Sequence, residues 1–259
     1  MSRVIAIANQ KGGVGKTATA VNLGAALALA ERQVLLIDMD PQANATQGVG
    51  VEKGSVSAGT YDWLSASPAG PLPAESTCIG PLSVVPSTRN LVGIEIELAR
   101  QPRWEFTLEA RLSPVRDRYD YVVLDCPPSL GLLTVNSLTA ADSVLIPVQC
   151  EYLALEGISE MIGTVERVRA SLNPRLRLEG VLLTMYDDRT GLSRQVAEEI
   201  RTHFTTQVFK TVIPRNVRLG EAPSFGKPIM LYDIRSRGAE AYLALAAEVL
   251  GHDQTKSAR

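Results

Sequence analysis

The chain has 259 residues, 45% apolar and 21% charged, with a net charge of −2. That content is enough to bury a core, and it excludes nucleic-acid binding through overall basicity, so any such binding needs a local patch. The three cysteines (Cys78, Cys126, Cys150) are odd in number and widely spaced, which excludes a simple disulfide framework.

No apolar run reaches the roughly 18 residues of a membrane-spanning helix. No basic and apolar leader precedes the first apolar run, so the expectation is a soluble, cytoplasmic protein with no membrane contact. Apolar, β-branched runs at 3–8, 33–37, 82–85, 120–124, 143–148 and 180–184 predict strands. Several are continuous rather than alternating, as in strands covered on both faces. Helices are predicted over the Ala/Leu-rich stretch Ala18 to Ala30 and over 151–172, where Asn173-Pro174 ends the helix. Others are predicted at 192–204 and around Tyr242 to Leu250. The rhythm predicts an α/β fold: a doubly wound, mostly parallel sheet with helices on both faces, in a single domain. The Ser/Pro/Gly-rich stretch 65–81 reads as a surface connection, and 251–259 as a polar, flexible tail.

The first strand runs into Lys11-Gly12-Gly13-Val14-Gly15-Lys16-Thr17, and a helix follows. Strand, glycine-rich loop and helix form a phosphate cradle: backbone N–H groups wrap the phosphates and the helix adds its positive end. Gly12, Gly13, Val14, Gly15 and Ala18 supply that backbone. Lys16 reaches the β/γ-phosphates of ATP, and the Thr17 hydroxyl holds Mg²⁺. Six residues before Lys16, where the general pattern has glycine, stands Gln10, and a second lysine, Lys11, heads the loop. Two further strands end on acids, Asp38 and Asp125, at the edge where the loop lies. Either can hold Mg²⁺ through its water shell, or merely cap a following helix. Asp40, two residues past Asp38, is placed to orient a water toward a γ-phosphate.

KGGVGKT, followed by LLIDMDPQANAT and VVLDCPPS, resembles the deviant Walker-A ATPases, and within them the ParA/Soj group of chromosome and plasmid partition ATPases. The likeness extends through residues 147–157, 172–190 and 212–229, nearly the whole chain. The resemblance implies a fold of P-loop NTPase type, and that Lys11 crosses a dimer interface to the other subunit's phosphates, doing the work of an arginine finger. Asp40 then matches the water-positioning carboxylate. Pro214 and Asn216 match positions bordering adenine, and Gly13 matches the place where two subunits approach. Ala18 departs from the family's usual second threonine. The catalytic set is therefore expected to be Lys11, Lys16 and Asp40.

Between Arg189 and Lys227 seven Lys/Arg face three acids. This is either a solvated helix face or a patch that neutralises DNA phosphates without reading bases. The resemblance favours DNA, with Arg189 and Arg218 at the family's contact positions and Lys227 in the same patch. It further implies an ATP-dependent homodimer on nonspecific double-stranded DNA across the nucleoid, released when a ParB-type centromere-binding partner stimulates hydrolysis. Three rivals share parts of this pattern. A MinD-like regulator needs a basic amphipathic C-terminal helix, and the chain ends GHDQTKSAR. An iron-protein-like reductase needs cysteines around an Fe–S cluster, whereas Cys126 and Cys150 read as buried small residues. A non-hydrolysing scaffold is disfavoured by the presence of both Lys11 and Asp40. His203 reads as a surface residue, and Trp63 and Trp104 as packing residues.

Overall fold

The computed structural model describes residues 2–66 and 70–257. Its strands are β1 (Arg3–Ile7), β2 (Val34–Asp38), β3 (Glu75–Ser76), β4 (Leu82–Val85), β5 (Tyr121–Asp125), β6 (Ser143–Gln149), β7 (Arg177–Tyr186) and β8 (Val208–Pro214). They form one sheet in the order β3-β4-β2-β5-β1-β6-β7-β8, parallel except for the short β3–β4 pair. The helices are α1 (Lys16–Leu29), α2 (Asn44–Gly48), α3 (Thr60–Ser65), α4 (Leu91–Leu98), α5 (Thr107–Leu112) and α6 (Leu132–Ala140). They continue with α7 (Ala154–Ser171), α8 (Gly191–Phe204), α9 (Val217–Glu221), α10 (Ile229–Tyr232) and α11 (Arg237–Ser257). This is the doubly wound α/β architecture that the continuous apolar runs predict.

Those runs are explained by the two cores. Along β1, Val4, Ala6 and Ala8 enter the core under α3 to α8, whereas Ile5 and Ile7 enter the one under α1, α10 and α11. A strand with an apolar face on each side has no polar side to alternate with. Helix α7 shows the opposite pattern: Ile158, Met161, Val165 and Val168 are buried while the intervening Glu and Arg face water. Asn173 fixes its end by donating from Nδ2 to the carbonyls of Leu138 (3.0 Å) and Ala141 (2.7 Å).

Three features differ from the sequence expectation. Strand β8 was not expected, because VFKTVIP mixes apolar with polar residues. The mixture fits its place at the sheet edge, where Glu248 of α11 accepts from the N–H groups of Lys210 (2.8 Å) and Thr211 (3.0 Å). Helix α11 carries on through 251–257, expected to be tail, while Ala258 and Arg259 lie outside the described residues. Within the expected connection 65–81, Glu75–Ser76 pairs with β4, and residues 67–69 lie outside the described residues. Among the described residues no helix is long and apolar enough to cross a membrane.

Candidate nucleotide site

Strand β1 lies between β5 and β6, and its loop opens at the carboxyl edge where ligands of such sheets bind. Gly13 (φ 75°) and Gly15 (φ 85°) adopt the left-handed conformation that turns the chain into α1. Gly15 is the N-cap, so no side chain covers the first turn of α1, and no acid stands in that turn. The helix therefore presents its positive end to the loop's hollow.

The loop is braced from β6 and β7. The buried Asn9 donates from Nδ2 to the Pro147 carbonyl (2.7 Å) and accepts from the Lys11 N–H at Oδ1 (3.0 Å). The buried Thr184 hydroxyl donates to the Val14 carbonyl (2.9 Å). Lys16, only 6% exposed, folds back and donates to the Lys11 carbonyl at 2.9 Å. Burial lowers its proton affinity, and the carboxylate of Asp125, the Cys126 sulfur and Asp40 offset that. The Lys11 ammonium pairs with Glu151 at 3.0 Å.

Opposite the lysines, Asp38 and Asp125 stand in register at the ends of the adjacent strands β2 and β5. Both are fully buried, but their surroundings differ. Asp38 Oδ2 accepts from the Thr46 N–H (2.8 Å) and hydroxyl (2.7 Å), and Oδ1 accepts from the Asp40 N–H (3.1 Å). Three of its roughly four acceptor positions are thereby used. Burial still raises its pKa to about 6, with the Thr46 bonds pulling the other way. Neither oxygen of Asp125 has a hydrogen-bond partner among the described residues. Burial first, then the charge of Asp38, pushes its pKa well up, and the neighbouring Thr17 hydroxyl and Lys16 oppose that. A fully buried carboxylate with two unused oxygens beside a threonine hydroxyl fits a divalent cation held through water. Asp38 fits less well as a second holder, because its oxygens already fasten Thr46 and Asp40. Asp40, 8% exposed, accepts from the Gln42 N–H at 2.9 Å and lies at the rim.

A cavity of about 270 Å³ adjoins the first turn of α1, lined by Thr17, Ala18, Val21, Asn22, Asn44, Gln47, Gly48, Ala222, Pro223, Ser224 and Lys227. Asn22 ties its walls together, donating to the Ala18 carbonyl (2.8 Å) and accepting from the Ile229 N–H (2.7 Å). Pro214 and Asn216 are absent from the lining, and Asn216 Oδ1 instead caps α9 through the Arg218 N–H (2.8 Å). Lys227, expected beside the DNA-facing arginines, lines this cavity.

The two arginines stand on separate elements and are already paired. Arg189 makes a two-pronged contact with Asp187 (2.8 and 2.7 Å), which holds the Asp187 carboxyl down to about 2. Arg218 reaches Glu221 at 2.8 Å and Asp233 at 3.6 Å. Cys126 and Cys150 are buried, as is Trp63, whereas Trp104 is partly buried against the same core. His203 is exposed on α8, its Nδ1 2.9 Å from the Glu199 carbonyl oxygen. Sequence reasoning did not single out Asn9, Thr184, Asn22, Thr46 or Glu151. For Asn9 and Thr184 a signal existed, a lone polar residue at the end of an apolar strand.

A family described as AAA domain matches residues 2–178. The chain is 54% identical to the chromosome partitioning protein ParA of Myxococcus xanthus, covering 100% of this chain and 92% of that one. It is 57% identical to the sporulation initiation inhibitor protein Soj of Bacillus subtilis, with coverage of 96% and 98%. Among solved structures, a cobyrinic acid a,c-diamide synthase from Mycobacterium smegmatis with bound ATP analog and magnesium superposes with a TM-score of 0.85 at 36% identity. It covers 100% of this chain and 98% of that one.

Proposed function

This chain belongs to the ParA/Soj family of partition ATPases, and from that premise we propose that it is an ATP-hydrolysing switch for DNA segregation. The observation that carries the reading is one loop with two lysines of different standing. Lys16 is buried and bonded to the loop's own backbone, and Lys11 is half-exposed and paired with Glu151.

ATP phosphates enter the hollow between Gly12 and Thr17, where backbone N–H groups and the α1 terminus receive them. Lys16 then leaves the Lys11 carbonyl for the β/γ-phosphates, a stronger acceptor than a neutral carbonyl. The Thr17 hydroxyl and the Asp125 carboxylate would hold Mg²⁺, which when bound would supply neutralisation of phosphate charge. Asp40, fixed through its own N–H by Asp38, orients the attacking water. The nucleoside occupies the cavity beside Ala18 and Asn22, with its adenine toward Pro214 and Asn216, which precede the lining residues Ala222 to Ser224 in the chain. Lys11 reaches the phosphates of a second subunit, so the ATP state is a sandwich dimer.

The dimer binds double-stranded DNA without sequence preference through Arg189 and Arg218, two copies reinforcing each other. A ParB-type centromere-binding partner stimulates hydrolysis and releases it. DNA retention and phosphate release, measured with ATP for wild type, Lys16→Ala and Asp40→Ala, test the reading. Lys16→Ala is expected to lose both activities, and Asp40→Ala to stay on DNA without releasing phosphate. Phosphate release by Asp40→Ala at the wild-type rate would remove Asp40 from the chemistry.

A further inference from the structure

We propose that Glu151 is a positioning residue that holds Lys11 within its own subunit and so sets how readily Lys11 is handed to a second copy of this chain. The inference rests on the two-subunit reading above.

Lys11 Nζ lies 3.0 Å from Glu151 Oε2, and both ends of the pair are anchored. On the lysine side, Asn9 accepts from the Lys11 N–H and itself donates to the Pro147 carbonyl, which ties the loop head to β6. On the glutamate side, the second carboxylate oxygen accepts from the Gln149 amide, and the Glu151 N–H donates to the Gln149 carbonyl at 2.8 Å. The loop head and the end of β6 are therefore fixed to each other before any ligand arrives.

Each side chain is 46% exposed, so the pair is of the weak, water-screened kind and can be exchanged. A polyphosphate carries more charge than one carboxylate and takes the ammonium from it when it comes within reach. The residues following Glu151, Tyr152 (85% exposed) and Leu153 (54%), stand out from the same rim. Exposed aromatic and aliphatic side chains beside the lysine suit the approach of a second protein surface. The buried Lys16 instead donates to the Lys11 carbonyl, with Asp125 and Asp40 nearby, and serves its own subunit.

The test uses Glu151→Gln, which keeps the shape and the Gln149 side of the contact. Competitive amine labelling of the nucleotide-free protein, read by peptide mass spectrometry against the exposed Lys210, should show Lys11 reacting roughly 2- to 5-fold faster, the range an exposed pair supplies. Sedimentation with AMPPNP and Mg²⁺ should show a dimer dissociation constant lower by a similar factor. Unchanged Lys11 labelling overturns the pairing, and unchanged or weaker dimerisation overturns the gating role. A wild-type chain that stays monomeric with AMPPNP would instead sink the two-subunit reading, a result separable from either.

Discussion

Replacing Asp125 by Asn should stabilise the empty protein and abolish its stabilisation by Mg²⁺ and ATP. Asp125 is fully buried, neither oxygen has a hydrogen-bond partner among the described residues, and Asp38 stands in register beside it. An unsatisfied buried polar group costs about 1–3 kcal/mol, and more when charged. Asparagine keeps an unsatisfied polar group and removes only the extra cost of the charge, so each kcal/mol of that extra cost should raise the melting temperature at pH 8 by roughly 2–4 °C for chains of this size. Ligand at a hundredfold excess over Kd stabilises wild type by about 2.7 kcal/mol, and the variant should lose most of that gain. The sign with pH follows from the raised proton affinity. A folded state that binds the proton more tightly than the unfolded chain is most stable at acid pH, and that stability is lost as pH rises from about 4. The share of Asp38, raised to about 6, is lost between pH of about 4 and about 6. Melting curves at pH 5 and pH 8, with and without Mg²⁺ and ATP, should therefore show a flatter pH dependence for Asp125→Asn. A variant that melts below wild type at pH 8 without nucleotide, or keeps the full ligand shift, refutes the argument.

Gly13→Val places a side chain at φ 75° where a Cβ meets nothing within 4 Å, so it should fold and bind ATP at a backbone cost of about 1–2 kcal/mol. Sedimentation should find it monomeric with AMPPNP, and normal dimerisation would move the subunit contact away from Gly13. Arg218→Ala should weaken ATP-dependent DNA retention, whereas Glu221→Gln, by freeing the same guanidinium, should strengthen it at low salt; no change in either removes Arg218 from the DNA surface. Thr184→Val leaves the Val14 carbonyl without its donor, costing about 1–3 kcal/mol, and should weaken ATP binding by calorimetry. Unaltered ATP affinity would show that the brace is not needed.

The phosphate loop was legible because its chemistry needs particular residues in a row, and the strands because burial on two faces leaves no polar position. What was not legible depends on contacts distant in sequence. Nothing near Asp38 announces that Thr46 and the Asp40 N–H will occupy its oxygens while those of Asp125 have no such partner among the described residues. The two acids look alike in sequence because each ends an apolar strand, and only the loop after β2 tells them apart. Lys227 belongs by sequence to a basic run, and the chain after α9 also places it among the residues lining the cavity beside α1. Strand β8 escaped because an edge strand closed by Glu248 carries the mixed pattern of a loop.

The cations named for the proposed cycle share one property: each is held by an acceptor of its own chain. Lys16 rests on the Lys11 carbonyl, Lys11 on Glu151, Arg189 on Asp187, and Arg218 on Glu221 and Asp233. A chain of net charge −2 that is to bind polyanions only in one nucleotide state has a physical reason for this arrangement. Bare lysines and arginines would attract phosphate whatever the state, whereas paired ones must first be exchanged. Each surface pair supplies only about 0.2–1 kcal/mol, so a single phosphate contact gains little over the carboxylate it replaces. Many such contacts made at once by a dimer gain considerably more, because the second subunit's contacts form at high effective concentration. Under the proposed cycle the internal carboxylates therefore suppress DNA binding by the monomer more than by the dimer. That difference couples DNA binding to Lys11 and, through it, to ATP.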